Sequence, residues 1–332
     1  MMRLRDRDPV TIASRLDPVL RPRSVAVVGA SPREGTVGNT FLSQLTIGGF
    51  ESRRGGRLYR VNPRYGEIDG AACFPSLAAL PETPEHVAFA VPDGAIEDVL
   101  AQAIAAGVRA GTIVSSLHVA ADRDPPLAAR IQQRCRDAGF QLCGGNGMGF
   151  YNFEDGVWMC GFRTRTDHRP GRVAFLSHSG SALCSLVDAD ARIDYNFVVS
   201  PGQELVLTLA DFLDFVLDQP STGVVGLFLE TARDPARFES ALAKAAARRI
   251  AIIVVKIGRT ETSARLAISH SGAMTGDDDA YQALFDRHGV QRVSSLDELA
   301  TALMLFQQSP APLRPGGLCS LHDSGGEREL II

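Results

Sequence analysis

The sequence predicts an α/β protein made of two parallel-sheet units with helices on both faces, followed by the start of a third. Three observations carry this. Short β-branched runs alternate with helical patterns; a Gly-rich aperiodic stretch at 143–171 interrupts the alternation once; and the alternation then restarts. A length of 332 residues agrees with about two domains of ordinary size.

In chain order, "SVAVVG" (24–29) reads as a buried strand and "TVGNTFLSQL" (36–45) as the helix after it. "RLYRV" (57–61), "HVAFAV" (86–91) and "AGTIVSS" (110–116) are further strands. Helices at 94–107 and 124–139 each close on a glycine suited to a left-handed cap. After the interruption come a strand at 172–177, a helix near 180–191, a strand at 196–200 and a helix at 205–219. A strand at 222–230, a helix at 234–249 and the very apolar strand "IAIIVVKIG" (250–258) follow, then helices near 278–288 and at 295–308. "SPAPLRPGG" (309–317) reads as a linker. The residues beyond it read as one strand–turn–helix unit, so the chain is expected to break off inside a third domain. The division is 17–147, a connection at 148–171, 172–308, and 309–332.

Composition removes several function classes. A net charge of −4 without a long basic run gives no footprint for nucleic acid. The start "MMRLRDRDP" has no apolar stretch of a secretory signal, and no run approaches the ~20 apolar residues of a membrane span. Six unevenly spaced cysteines make no disulfide framework and no zinc spacing, so they read as free thiols in a reducing cytoplasm, with no metal site.

"VAVVGASPREGTVGN" joins a strand to a helix. Gly29, Gly35 and Gly38 allow close backbone approach, and the helix N-terminus favours an anion. The spacing is not that of the dinucleotide fingerprint, and a tight packing turn explains the same residues. The second strand ends "RVNPRYG", basic and without the acid that holds a ribose diol. That suits an extra ribose phosphate, as in NADP or coenzyme A. "AVPDG" (90–94) and "VSS" (114–116) end the next strands at the same ligand-binding edge.

The tetrapeptide "SHSG" occurs twice. At Ser177–Gly180 it joins a strand to a helix start, which serves either as an anion cradle or as a plain N-cap. At 269–272, His270 lies in a loop among small residues, as a nucleophile toward phosphorus or as a surface histidine. Glu230 ends its strand before "TARDPARF", either as a partner for a histidine or as a helix cap.

Taken together, "RSVAVVGASPREGTVG", "RVNPRYGE", "AVP", "FLSHSGSAL" and "ISHSGAMTGDDD" resemble the NDP-forming (ADP-forming) acyl-CoA synthetases, acetate–CoA ligases related to the succinyl-CoA synthetase α-subunit. The resemblance runs in one order from residue 17 to about 308. It implies a Rossmann-like CoA-binding domain followed by a flavodoxin-like domain. It further implies CoA contacts from Gly29, Ala30, Ser31, Gly35, Asn62, Pro63, Val91, Pro92, Ser115 and Asn146, with Arg33 and Arg64 toward phosphates.

His270 would carry a phosphoryl group, with Ser271 and Gly272 beside it. Glu230 would hold the other ring nitrogen, and Ser177, His178, Ser179, Gly180 and Ser181 would cradle the phosphate. The implied reaction joins a carboxylic acid to CoA at the expense of ATP, through a phosphohistidine and an acyl phosphate. ATP, with Mg2+, would bind an ATP-grasp domain supplied by a β-subunit or by the second half of a fused chain. An oligomer is also implied.

Two departures from the family pattern stand out. Gly145 and Gly147 replace the proline and cysteine of the usual Gly-Pro-Asn-Cys segment, predicting a looser or differently shaped pantetheine end. His178 replaces a commoner glutamine or arginine and is expected to face substrate or phosphate. Gln203 and Glu204, in "SPGQEL", are weaker candidates. A non-catalytic CoA-binding regulatory module, and an NADP oxidoreductase, are the other classes compatible with these domains.

Overall fold

The computed structural model describes residues 15–258 and 277–308, with 321, 324, 326 and 329. His270, Ser271, Gly272 and nearly all of the expected third unit lie outside the described residues.

The first sheet contains β1 (Ser24–Val28), β2 (Arg57–Val61), β3 (Glu67–Ile68), β4 (Ala71–Phe74), β5 (His86–Phe89), β6 (Ala110–Ile113) and β7 (Gln141–Gly144). Their spatial order is β3-β4-β2-β1-β5-β6-β7, parallel except for the β3–β4 pair. The chain leaves β1 toward β2 on one side and returns to β5 on the other. The switch point, where ligands of such sheets bind, therefore lies between the ends of β1 and β5. α1 (Asp17–Leu20) precedes the sheet, and α2 (Val37–Gly48), α3 (Phe50–Arg54), α4 (Asp93–Ala105) and α5 (Leu127–Ala138) connect its strands.

The second sheet contains β8 (Gly149–Asn152), β9 (Val157–Cys160), β10 (Val173–Ser177), β11 (Tyr195–Ser200), β12 (Val224–Leu229), β13 (Ala251–Lys256) and β14 (Gln291–Val293). Its order, β14-β13-β12-β10-β11-β8-β9, has the flavodoxin arrangement in its five parallel strands. β8 is antiparallel to both β11 and β9. Its helices are α6 (Gly180–Ala189), α7 (Leu209–Leu217), α8 (Pro235–Ala247), α9 (Asp278–His288) and α10 (Leu296–Gln308).

The stretch read as an aperiodic connection thus contains two strands of the second sheet. Every residue of "GFYN" and "VWMC" is buried, so neither strand shows the alternation that marks a half-exposed one. This hairpin also joins the two sheets. The Asn152 amide donates to the Leu20 carbonyl at 2.9 Å, and Arg54 pairs with Asp155 at 2.5 Å. A Cβ on Gly156 would lie 2.3 Å from the Gly48 carbonyl oxygen, so glycine permits that close approach. One hydrophobic core runs from Val27 through Phe150 to Leu227.

Candidate active site

At the first switch point, backbone approach is extreme. Gly29 has φ 91°, and a Cβ there would lie 2.2 Å from the Ala90 carbonyl oxygen. Gly38 faces Gly29 just as closely, at 2.1 Å from its carbonyl oxygen. Gly35 has φ 77° and open space around it, so conformation rather than packing calls for glycine. Thr36 caps α2, accepting from Asn39 N–H, and Ser31 Oγ accepts from Arg33 N–H at 3.1 Å.

Asn62 ties the turns together. Its amide donates to the Ala30 carbonyl at 2.8 Å, and its Oδ1 accepts from Arg64 N–H at 3.0 Å. Asn62 therefore shapes the pocket wall with its side chain. Arg33, Pro63, Arg64 and Pro92 are exposed around the opening, and Ala30 is buried beneath it. Val91 packs toward Gly29, while Asn146 N–H donates to the Ser115 carbonyl at 2.7 Å. The predicted residues of this site thus share one edge of the sheet.

Gly145 and Gly147 do not open the site. A Cβ on Gly145 would meet the Leu117 side chain at 2.8 Å, and one on Gly147 would meet the Ser200 carbonyl oxygen at 2.6 Å. The space that side chains would occupy is filled by Leu117 and by the backbone that follows β11. Of the two expected outcomes, looser or differently shaped, the packing beside Gly145 and Gly147 is that of a closed, differently shaped seam. Gln203 N–H donates to the Gly145 carbonyl at 2.7 Å and Leu205 N–H to that of Gly144 at 3.3 Å. Ser115 Oγ, Ser200 Oγ and Gln203 Oε1 are buried around this seam without a hydrogen-bond partner among the described residues. Buried polar atoms are normally paired, so the three leave hydrogen-bonding capacity open along this seam.

In the second domain, Ser179 is the N-cap of α6. Its Oγ accepts from Ala182 N–H at 3.2 Å and lies 3.1 Å from Ser181 Oγ. Ser177 is fully buried and its hydroxyl donates to the Ser179 carbonyl at 2.7 Å, fixing the turn. The N–H groups of Gly180 and Ser181 belong to the first turn, where an α-helix leaves donors without internal partners. Gly180 also lets Met148 approach from the seam, since a Cβ would lie 2.8 Å from its Cγ.

His178 differs most from expectation. Its Nδ1 accepts from Glu230 N–H at 3.1 Å, so the proton sits on Nε2, which donates to Glu204 Oε1 at 3.1 Å. The imidazole is 5% exposed, and both nitrogens are engaged. The ring that was expected to face substrate or phosphate is held between the Glu204 carboxylate and the Glu230 N–H. Glu204, the weaker candidate, is the more deeply built residue. Its side chain is 1% exposed, its φ is 55°, and its Oε1 also accepts from Leu209 N–H. Arg233 Nε lies 3.1 Å from Glu204 Oε2, close enough for an ion pair but off the line of a hydrogen bond.

Glu230 is buried at 8% exposure beyond the end of β12. Two nearby residues escaped the sequence reading. Lys256 ends β13, level with Leu229, with its ammonium 4.6 Å from the centre of the Tyr281 ring. Burial pulls its pKa down to about 8, against the attraction of Asp278 and Glu230 and with the repulsion of Arg292. Tyr281 Oη accepts from Ala232 N–H at 2.7 Å. A single charge closing the apolar run "AIIVVK" was the available signal for Lys256.

The fold is that of two successive parallel α/β domains, Rossmann-like and then flavodoxin-like. The "CoA binding domain" family matches residues 23–152 and the "Succinyl-CoA ligase like flavodoxin domain" family matches 170–306. Two families thus match the two domains in chain order, and the proteins this chain is similar to are ADP-forming acyl-CoA ligases.

The acetate–CoA ligase [ADP-forming] I of Archaeoglobus fulgidus is 33% identical over 309 residues, covering 92% of this chain and 43% of the relative. The α-subunit of acetate–CoA ligase [ADP-forming] I from Pyrococcus furiosus is 29% identical, covering 90% of this chain and 64% of that subunit. Among solved structures, the "dinucleotide forming Acetyl-coenzyme A synthetase 1" of Ca. Korarchaeum cryptofilum, in complex with phosphate and ADP, superposes with a TM-score of 0.78 at 27% identity. It covers 87% of this chain and 62% of that one. The chain therefore spans under half of the Archaeoglobus relative. Among the described residues no helix is long and apolar enough to cross a membrane.

Proposed function

We propose that this chain is the CoA-binding and phosphoryl-carrying part of an acid–thiol ligase that converts a carboxylic acid, CoA and ATP to acyl-CoA, ADP and phosphate. The carrying observation is the seam. The buried side-chain oxygens of Ser115, Ser200 and Gln203, without a hydrogen-bond partner among the described residues, belong to the seam that Met148 links to the first turn of α6. The first-domain residues fit CoA. Gly29 lets the first turn lie directly on the Ala90 carbonyl at the switch point, and the turns at that edge carry the exposed Arg33 and Arg64.

CoA supplies the thiol that accepts the acyl group. Gly29, Ala30, Ser31, Gly35, Asn62 and Pro63 shape the nucleotide end. Val91, Pro92, Ser115 and Asn146 line the path toward the thiol. His270 carries the phosphoryl group, with Ser271 and Gly272 beside it, and Glu230 orients the imidazole and stabilises its cationic phosphorylated form. The N–H groups of Gly180 and Ser181 offset the phosphate charge, with Ser177 and Ser179 fixing their turn.

ATP with Mg2+ binds an ATP-grasp domain carried by a β-subunit or by another part of a longer chain, and the assembly is oligomeric. The α-subunit naming of the Pyrococcus relative supports this division. A cytoplasmic location fits the proposed CoA and ATP chemistry and is supported by the five free cysteines among the described residues.

Calorimetric titration with CoA, 3′-dephospho-CoA and NADP tests the reading. CoA binding at least tenfold tighter than the other two is expected. Preference for NADP overturns it.

A further inference from the structure

We propose that Glu204 is a positioning residue that couples the Gly144–Gly147 seam to Glu230 through the His178 ring. The proposal rests on the reading above, because it assigns the seam to the thiol end of the CoA pocket and Glu230 to the phosphoryl carrier.

The coupling is continuous in hydrogen bonds. On one side the Glu204 backbone is held between Gln203 N–H, on the Gly145 carbonyl at 2.7 Å, and Leu205 N–H, on the Gly144 carbonyl at 3.3 Å. The left-handed φ of 55° at Glu204 is uncommon for a residue with a side chain, and such backbone persists where its surroundings impose it. It turns the carboxylate inward, where Leu209 N–H, His178 Nε2–H and Arg233 converge on it.

On the other side, His178 Nδ1 holds Glu230 N–H at 3.1 Å. Arg233, three residues on from Glu230, returns to the same carboxylate at 3.1 Å. Glu204 therefore grips the Glu230–Arg233 segment at two points, one through the imidazole and one directly. Tyr281 Oη, accepting from Ala232 N–H, holds the segment from the far side.

Gly147 and Gly202 make the coupling tight. With no side chains there, the strand-end backbone at Ser200–Gly202 lies directly on the seam. A ligand group that moves the seam moves Glu204. Glu230 N–H on Nδ1 sets the ring proton on Nε2, and the Glu204 carboxylate accepts from that Nε2–H and holds the ring in place. A neutral amide at 204 still offers an acceptor to Nε2–H but lacks the charge that strengthens the bond, so the ring is held less firmly.

The test uses the full chain, inorganic phosphate as phosphoryl source and acetyl-CoA or another CoA ester that supports phosphorylation of the wild type, with CoA and the free acid released. Glu204→Gln is expected to slow phosphorylation on the order of tenfold to a hundredfold, the weight of one buried charged hydrogen bond, with half-saturation by the ester changed less than about threefold. Nitrogen-15 NMR of the His178 ring, assigned by its loss in His178→Gln, is expected to show the Nε2–H tautomer in wild type and in Glu204→Gln, with the Nε2 resonance moved in the variant because its acceptor is no longer a carboxylate. His178→Gln, which retains an acceptor and a donor, is expected to regain part of the rate lost in His178→Ala.

A Glu204→Gln rate within threefold of wild type, in a chain whose wild type is phosphorylated, overturns the coupling and leaves the ligase reading intact. Absence of phosphorylation in wild type with every ester overturns the ligase reading, and the coupling with it. If Glu204→Gln does not fold, equal rates in His178→Ala and His178→Gln overturn the coupling.

Discussion

Gly147→Ala probes the seam with one methyl group. The added Cβ would sit 2.6 Å from the Ser200 carbonyl oxygen, 2.9 Å from Gly202 N and 3.0 Å from Gly202 Cα. All three atoms are backbone, so no rotamer change relieves the contact, and the strand end must retreat by roughly 0.5–1 Å to reach ordinary separations of about 3.5 Å. Overpacking of this kind costs about 1–3 kcal/mol, and the stiffer unfolded chain returns about 0.5–1 kcal/mol. The balance, roughly 0.5–2 kcal/mol, lowers Tm by about 1–8 °C at some 2–4 °C per kcal/mol. Gly94→Ala is the control. Gly94 lies in the first turn of α4 with nothing within 4 Å of its Cβ position, so alanine there is neutral or stabilising. Differential scanning calorimetry of the two variants beside wild type makes the comparison. A Gly147→Ala Tm at or above that of Gly94→Ala refutes the close packing of the seam.

Three further outcomes follow from the same geometry. Gly29→Ala meets the Ala90 carbonyl oxygen at 2.2 Å with φ 91°, so CoA affinity measured by calorimetry should fall at least tenfold; unchanged affinity would remove this turn from the pocket. His86 is fully buried between the Pro18 carbonyl and Thr112, and burial lowers its pKa to about 4 from 6.5. The unfolded chain binds the proton first on acidification, so stability is lost as pH falls from 6.5 toward 4, by about 3 kcal/mol. Urea unfolding at pH 7 and pH 4.5 should show that loss in wild type and less of it in His86→Asn, and equal losses would contradict the neutral buried ring. Lys256, with its pKa near 8 against the usual 10.5, gives the opposite end of the scale. The folded protein releases this proton first, so wild type should gain stability relative to Lys256→Met between pH 8 and 10.5, by urea unfolding, and a flat difference would place the ammonium in water.

The alternation of strands and helices was legible because each β-branched run is bounded by glycine or a helix cap. β8 and β9 were hidden by burial on both faces. β14 was hidden by its three-residue length and the charge of Arg292. The helix expected from 205 begins at Leu209, because Thr208 and Asp211 form a capping box and Glu204 takes the Leu209 N–H. The glycines of the first turn announced themselves, since close approach admits little else. The work of His178 could not be read from "SHSG". Its partners lie 26 residues away at Glu204 and 52 away at Glu230, and only the packing of β10, β11 and β12 brings them together. Gly145 and Gly147 left two shapes open, because an absent side chain reads as space until the neighbouring backbone is seen to fill it.

The central claim is that this chain carries a phosphoryl group on His270. Intact mass after incubation with inorganic phosphate and a panel of acyl-CoA esters, beside His270→Ala, tests it directly. The account predicts an acid-labile gain of one phosphoryl group in wild type with at least one ester, and none in the variant. An equal gain in His270→Ala, or no gain with any ester in a chain that binds CoA, would contradict it.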